Sequence, residues 1–195
     1  MKMIAIRPTP ECDSPGVMCD APESREVRLP CAHMTEVLIR RASEQDRSAV
    51  VQLRREWTAE QLGDRTDPTF DERLTAWLER ERSRRIIWLA IADGRPVGMM
   101  NLAIFERMPR PGRAPSYWGY LGNAFVLAGY RNQGIGRELI SAVLGYADEN
   151  SFARVVLSPS ERSMPFYERA GFGPANGLML RTPPHTTTGN APRPT

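Results

Sequence analysis

The stretch Phe125-Val126-Leu127-Ala128-Gly129-Tyr130-Arg131-Asn132-Gln133-Gly134-Ile135-Gly136-Arg137 decides how this chain is read. Residues 119–127 are mostly apolar or aromatic and run up to Gly129. Beyond the glycines, Ile135, Leu139, Ile140, Val143, Leu144 and Ala147 recur at helical spacing. The order is strand, loop, helix. A helix N-terminus carries unpaired N–H groups and a partial positive charge, so a loop whose backbone comes close there suits phosphate oxygens. Gly134 and Gly136 lack a Cβ and permit that approach. The same glycines also serve a plain strand-to-helix turn, and the pattern by itself leaves both readings open.

Two other phosphate motifs fit poorly. A dinucleotide-binding turn places G-x-G-x-x-G after the first strand, with an acidic residue about twenty positions on; here only Gly134 and Gly136 match, late in the chain. A Walker A loop needs Gly-Lys-Ser or Gly-Lys-Thr, and neither occurs. A nucleotide-binding domain for ATP or NAD therefore ranks last.

A second motif stands downstream. Ser160-Glu161-Arg162-Ser163-Met164-Pro165-Phe166-Tyr167-Glu168-Arg169-Ala170-Gly171-Phe172 reads as a short helix closed by Gly171, with Phe172 placed for the hydrophobic contact of a glycine cap. Pro165 falls in the first turns, where a missing N–H costs little. In order and spacing the two motifs resemble the GNAT superfamily of acetyl-CoA-dependent N-acetyltransferases. The resemblance covers roughly residues 36–181 and is most specific over 118–173.

The resemblance implies a list of site residues. Arg131, Asn132, Gln133, Gly134, Ile135, Gly136 and Arg137 would cradle the CoA pyrophosphate, with Arg131 or Arg137 adding charge. The backbone of Phe125 and Val126 would contact the pantetheine arm and help polarise the thioester carbonyl, and main-chain donors aimed at developing charge are worth about 3 kcal/mol in such sites. Tyr167 matches the family tyrosine that protonates the CoA sulfur; a phenol with a pKa of about 10 can donate to a thiolate of about 8.5. Ser160 stands where many relatives have an Asn that contacts CoA. Many relatives also carry a Glu immediately before the position of Asn123; this chain has Gly122, which removes a direct carboxylate base. Water held by backbone carbonyls or Asn123, or Glu106 at the end of the third strand, is left to take the amine's proton.

Composition bounds the rest. The 195 residues are 41% hydrophobic and 25% charged, an ordinary balance for one globular domain. The net charge of +3, from 26 basic and 23 acidic residues, is scattered, and Arg84-Arg85 is flanked by Glu79 and Glu81; this is a solvated surface and no nucleic-acid footprint. No apolar run is long enough to span a bilayer, and Met1–Ile6 is too short for a secretory signal, so the expected location is cytoplasmic and no membrane partner is expected. Cys12, Cys19, Cys31 and His33 lie in the first thirty-three residues without paired C-x-x-C units, and His185 lies near the end. Neither a metal nor a covalent cysteine mechanism is expected.

Residues 1–33 are proline-rich with no sustained apolar period and read as a flexible extension; Met34, just before the first convincing strand, is a plausible alternative start. Residues 182–195 read as a disordered tail, which leaves 34–181 as the domain. Within it, Val37-Leu38-Ile39 is a first strand. Ser43 with Asp46 opens a helix through Val50, Leu53 and Trp57, and Phe70, Leu74, Trp77 and Leu78 mark a second over 69–82. Asp93-Gly94 joins strands 86–92 and 96–105 in a hairpin. A strand over 118–127, a helix over 134–150, a strand over 153–157, a helix over 161–170 and a last strand over 178–181 complete the order βααβββαβαβ. The expected fold is α+β, a mixed and mostly antiparallel sheet of six to seven strands flanked by about four helices.

Acceptor choice is expected from two loops. Glu60, Asp64 and Asp67 would attract a cationic amine, and Arg107, Arg110 and Arg113 would hold an anionic group. The expected activity is transfer of acetyl from acetyl-CoA to an amine by direct attack in a ternary complex, with a small-molecule amine as acceptor and the protein as monomer or homodimer. A protein Lys or N-terminal acetyltransferase, and a catalytically silent acyl-CoA-binding module, are the alternatives.

Overall fold

Two-residue turn chemistry organises the sheet of this protein, whose computed structural model describes residues 36–181. β2 (Arg85–Ala92) and β3 (Arg95–Glu106) pair antiparallel through Asp93 and Gly94, whose φ angles of 48° and 75° suit the tight hairpin that D-G signals. β1 (Val37–Arg41) pairs with β2, and β4 (Tyr117–Val126) with β3, both antiparallel. A fifth strand, β5 (Val155–Val156), joins β4 in parallel, so the order across the sheet is β1-β2-β3-β4-β5. A parallel pair needs a crossover, which the helix α3 (Ile135–Glu149) supplies.

From Gly98 onward β3 alternates between the two faces. Met100 and Leu102 point to the side where Leu121 and the α3 residues Ile135, Leu139, Ile140 and Val143 close one core cluster. Met99 points to the other side, where Leu89 and Phe125 meet Val50 and Leu53 of α1 (Arg47–Leu62). α2 (Phe70–Glu81) adds Leu78 to that second cluster. Arg55 bonds Asp71 at 2.7 Å, and Arg47 pairs with Glu79, which ties α1 to α2. Every basic side chain of the described residues is an arginine; Lys2 is the only lysine of the chain.

The entry to α1 is held by one carboxylate. Asp46 accepts both Arg40 guanidinium nitrogens at 2.7 Å and the Ser43 N–H at 2.7 Å, and its side chain is 12% exposed. The hydrogen bonds from Arg40 hold its pKa far below the ordinary range; burial opposes them, and the hydrogen bonds from Ser43 add to the lowering. A depressed carboxylate stabilises the fold fully above its unfolded pKa of about 4, and that contribution fades as pH falls toward the native value. Asp46→Asn should therefore cost about 1–2 kcal/mol at pH 7. Melting curves of the variant and the parent should converge as pH is lowered below about 4; an equal gap at pH 3 and pH 7 would reject the carboxylate account.

Three expectations on the second half of the domain are corrected. The strand expected over 153–157 reduces to Val155–Val156, and the helix over 161–170 divides into a 3-10 turn (Glu161–Ser163) and α4 (Met164–Arg169). The last strand, expected over 178–181, does not form, so the sheet of the described residues has five strands rather than six or seven. A strand needs a ladder partner and one sheltered face. Leu178, Met179 and Leu180 are consecutive apolar residues and all exposed, and the Leu178 N–H is taken by Ala175 O in a turn. The expected extension over 1–33 and tail over 182–195 lie outside the described residues, with Cys12, Cys19, Cys31, His33 and His185.

Candidate active site

The site begins with an irregularity in β4. Met99 faces Phe125 and Asn101 faces Gly122, so Asn123 and Ala124 together stand opposite Met100 alone. Asn123 takes φ 52°, a left-handed conformation that asparagine tolerates better than most residues. Such a bulge bends its strand. On its other edge β4 pairs with β5 only at Gly119–Val155 and Tyr120–Val156, so beyond Tyr120 the two strands part and the β4 backbone from Leu121 has no ladder partner on that side.

The loop that follows is braced from within. Arg131 Nε donates to Val126 O at 2.8 Å, its terminal nitrogen pairs with Glu60 of α1, and its guanidinium carbon lies 5.7 Å from the Phe125 ring centroid. Gln133 Nε2 donates to Gly129 O at 3.0 Å. The two residues expected to face a phosphate with side-chain charge thus differ: Arg131 is engaged as a strut, whereas Arg137 is 75% exposed and, among the described residues, pairs only with its neighbour Glu138. Asn132 and Gly134 are both left-handed, with φ 62° and 85°. Alternation of this kind turns successive N–H groups into one concavity. The first bond of the α3 end is Glu138 N–H to Gly134 O at 3.1 Å, so the N–H groups of Ile135, Gly136 and Arg137 have no acceptor in the helix.

The two glycines serve different ends. Gly134 is required by its φ, since a Cβ there would meet only Arg137 at 3.7 Å. A Cβ at Gly136 would lie 3.3 Å from Phe166, so the missing side chain lets α4 pack against the first turn of α3. That packing positions the next residue, Tyr167, whose ring meets Phe166 at 5.0 Å and Phe172 at 5.9 Å in edge-on contacts. Burial pushes the Tyr167 phenol up, and the Tyr120 phenol adds to the shift.

The remaining expected residues are distributed less evenly. Ser160 is exposed and its Oγ lies 3.0 Å from Ser163 Oγ, within the turn that opens α4. Phe125 is buried at 6% exposure and stacks on Trp57 of α1 at 5.9 Å; the Val126 carbonyl is the one that Arg131 occupies. Glu106 is exposed in register with Tyr117, six residues along β4 from Asn123, or about 20 Å at strand rise. The structure does not bring Glu106 to the bulge. Glu60 is bound to Arg131 and Asp67 to Arg73, so neither is an unpaired carboxylate.

Three polar residues at this end of the sheet were not singled out from the sequence. Tyr120 precedes the parting of β4 and β5 and is near enough to Tyr167 to influence its proton. Arg54 is half-buried on the inward side of α1, its guanidinium carbon 4.4 Å from the Trp57 ring centroid; burial lowers its pKa, and no carboxylate among the described residues pairs with it. Asn101 is 3% exposed, and its Oδ1 has no donor. A single polar residue within a continuous apolar run, Val97 to Phe105, marks Asn101; nothing local marks Arg54.

Comparison with known proteins sets this geometry in context. The sequence model of the acetyltransferase (GNAT) family matches residues 50–172. A glucosamine 6-phosphate N-acetyltransferase of Trypanosoma brucei brucei is 37% identical over 79 residues, which are 40% of this chain and 52% of that protein. The match thus spans about half the length of that curated relative. Among solved structures, a predicted acetyltransferase from Clostridium acetobutylicum with acetyl-CoA superposes with a TM-score of 0.61 at 19% identity, covering 75% of this chain and 96% of the other. A glucosamine-6-phosphate N-acetyltransferase from Arabidopsis thaliana superposes with a TM-score of 0.59 at 18% identity, covering 76% and 99%. At these identities the two structures speak for the fold.

Proposed function

The chain belongs to the acetyltransferase (GNAT) family, and from that premise we propose that it transfers an acetyl group from acetyl-CoA to an amine on a small acceptor by direct attack in a ternary complex. The observation that carries this reading is the packing of Phe166 on Gly136, which sets the helix of Tyr167 against the free N–H groups that open α3. A phosphate-binding end and a proton-donating phenol thereby flank the place where β4 and β5 part.

The left-handed Asn132 and Gly134 and the unpaired N–H groups behind them fit the diphosphate of acetyl-CoA. Backbone from Asn132 to Arg137 would hold the pyrophosphate, and the unpaired β4 edge would face the pantetheine arm. Acetyl-CoA supplies a thioester whose C–S bond breaks as the amide C–N bond forms. Tyr167 holds a proton at its phenol oxygen for the departing sulfur. Gly122 offers no carboxylate, so the surplus proton of the nitrogen leaves through water. This last feature also favours a second reading, a module that binds acyl-CoA without turnover.

The name of the trypanosomal relative makes glucosamine 6-phosphate the first acceptor to try. Arg54 supports an acceptor with an anionic group, because a half-buried guanidinium without a carboxylate is a ready partner for phosphate or carboxylate oxygens. Melting with acetyl-CoA, CoA, ATP and NAD, followed by assay of CoA release with glucosamine 6-phosphate and glucosamine, tests the reading. Selective stabilisation by the CoA species with amine-dependent release is expected, while stabilisation without release favours the silent module. Arg54→Met should raise KM for glucosamine 6-phosphate about tenfold or more and leave glucosamine unchanged; an equal change for both amines would remove the anion contact.

A further inference from the structure

β3 and β4 carry a row of aromatic side chains on the face that α1 and α2 shelter only in part. Phe105 and Trp118 stand opposite each other in the ladder, and their rings stack at 4.5 Å with 17° between the planes. Tyr120 follows two residues along β4, about 7 Å at strand rise, and so falls on the same face. That face is the one of Met99, because Phe105 stands an even number of residues beyond it in the alternation of β3. The helices cover this face around Met99 and Phe125, whereas Trp118 joins neither core cluster of the described residues, Phe105 is 44% exposed and Tyr120 is 40% exposed.

The row leads to the reacting end of the site. Past Tyr120 comes Gly122 on the same face, where a Cβ would meet only the Tyr120 ring, at 3.4 and 3.8 Å, so no side chain stands between Tyr120 and the bulge at Asn123. Tyr120 is also the last β4 residue paired with β5, and its phenol is near enough to Tyr167 to act on it. A contiguous exposed aromatic patch marks a binding surface where a stray apolar residue does not. Three partly exposed rings present at most about 300 Å², well below the roughly 800 Å² per partner of a stable protein interface, which favours a small ligand over a second chain. The row, with Ala103 as cross-strand neighbour of Tyr120, offers the Trp118 N–H, the Tyr120 hydroxyl and otherwise carbon. A flat aromatic group suits it, whereas the hydroxyls of a sugar ring would lose water there and gain few partners.

Resting on the acetyltransferase reading above, we propose that the row of Tyr120, Trp118 and Phe105 is the subsite for an aryl group of the acceptor, an amine tethered to an aromatic ring. With the amine at the bulge, a short tether lays the ring on Tyr120, and a longer one carries it toward Trp118 and Phe105. The contact is remote from the reacting nitrogen and is the same before and during transfer, so it selects acceptors chiefly through KM.

CoA release by the full chain with 2-phenylethylamine, 4-phenylbutylamine and n-butylamine tests the assignment, and glucosamine 6-phosphate is the comparator without an aryl group. Wild type should prefer each phenyl amine to n-butylamine by about fivefold or more in kcat/KM, the scale of one aromatic contact. Tyr120→Leu should remove that preference for both phenyl amines, Tyr120→Phe should keep it, and Trp118→Leu should reduce it mainly for the longer tether. A cross-strand pair of purely structural worth predicts lower melting for Trp118→Leu and an unchanged ratio. Should Trp118→Leu fail to fold, the two variants at the exposed Tyr120 decide alone. A wild type that acetylates n-butylamine or glucosamine 6-phosphate as well as it does the phenyl amines, or a preference that survives Tyr120→Leu, overturns the aryl subsite and leaves the acetyltransferase reading intact. Stabilisation by acetyl-CoA with no CoA release from any of the four amines overturns both.

Discussion

Gly134→Glu should leave a folded protein that acetyl-CoA no longer stabilises. The position is left-handed at φ 85°, where any side chain costs about 1–2 kcal/mol. A carboxylate at the head of α3 regains part of that through the helix dipole, so the fold persists. The same carboxylate stands where the pyrophosphate would lie and repels it. Wild-type protein at a hundredfold excess of acetyl-CoA over Kd should gain about 2.7 kcal/mol, and the variant nothing measurable. Gly134→Ala is the control: it bears the backbone strain without the charge, and space for its Cβ exists because only Arg137 comes within 3.7 Å. Alanine should melt lower and keep much of the ligand response. If glutamate responds to acetyl-CoA as wild type does, the phosphates are held elsewhere.

Tyr167→Phe should reduce kcat by about 100-fold or more, the usual scale of a lost general acid, while acetyl-CoA still shifts the melting temperature by the wild-type amount. The Phe166 and Phe172 contacts are made by the ring, which phenylalanine keeps. The pH profile provides a second check. Burial, then the neighbouring Tyr120, raises the phenol pKa above its ordinary value of about 10. An acid is active below its pKa, so loss of its proton should limit the rate only above that value. Retention of wild-type kcat in the variant, or an alkaline limb near pH 8 that persists in it, would assign the proton to another group.

Much of this architecture could be read from local pattern. The D-G hairpin, the capped start of α1 and the strand-loop-helix from β4 to α3 each depend on residues close in sequence, and each appears where expected. The shortness of β5 and the missing strand near Leu178 depend on what lies beside them, which periodicity does not report. The bulge at Asn123 is legible only from the register of β3 against β4. The same limit applies within the site. The glycine loop and Tyr167 were carried by motif, whereas Arg131 as a strut depends on Glu60, seventy-one positions away, and the isolation of Arg54 and Asn101 depends on groups that fail to reach them. The two glycines of the loop looked alike in sequence; Phe166 distinguishes them.

The arginine-only surface has a practical consequence. A thioester donor acetylates accessible lysine amines slowly without any enzyme, and that background obscures assays of acetyl transfer. Residues 36–181 offer no lysine ε-amine to react, since Lys2 is the only lysine of the chain. Acetyl-lysine on this protein can therefore lie only at Lys2. Amine-directed labels and crosslinkers likewise pass over residues 36–181, so an acceptor amine or a lysine-bearing partner can be tagged in their presence with reaction on this chain confined to Lys2 and the α-amine.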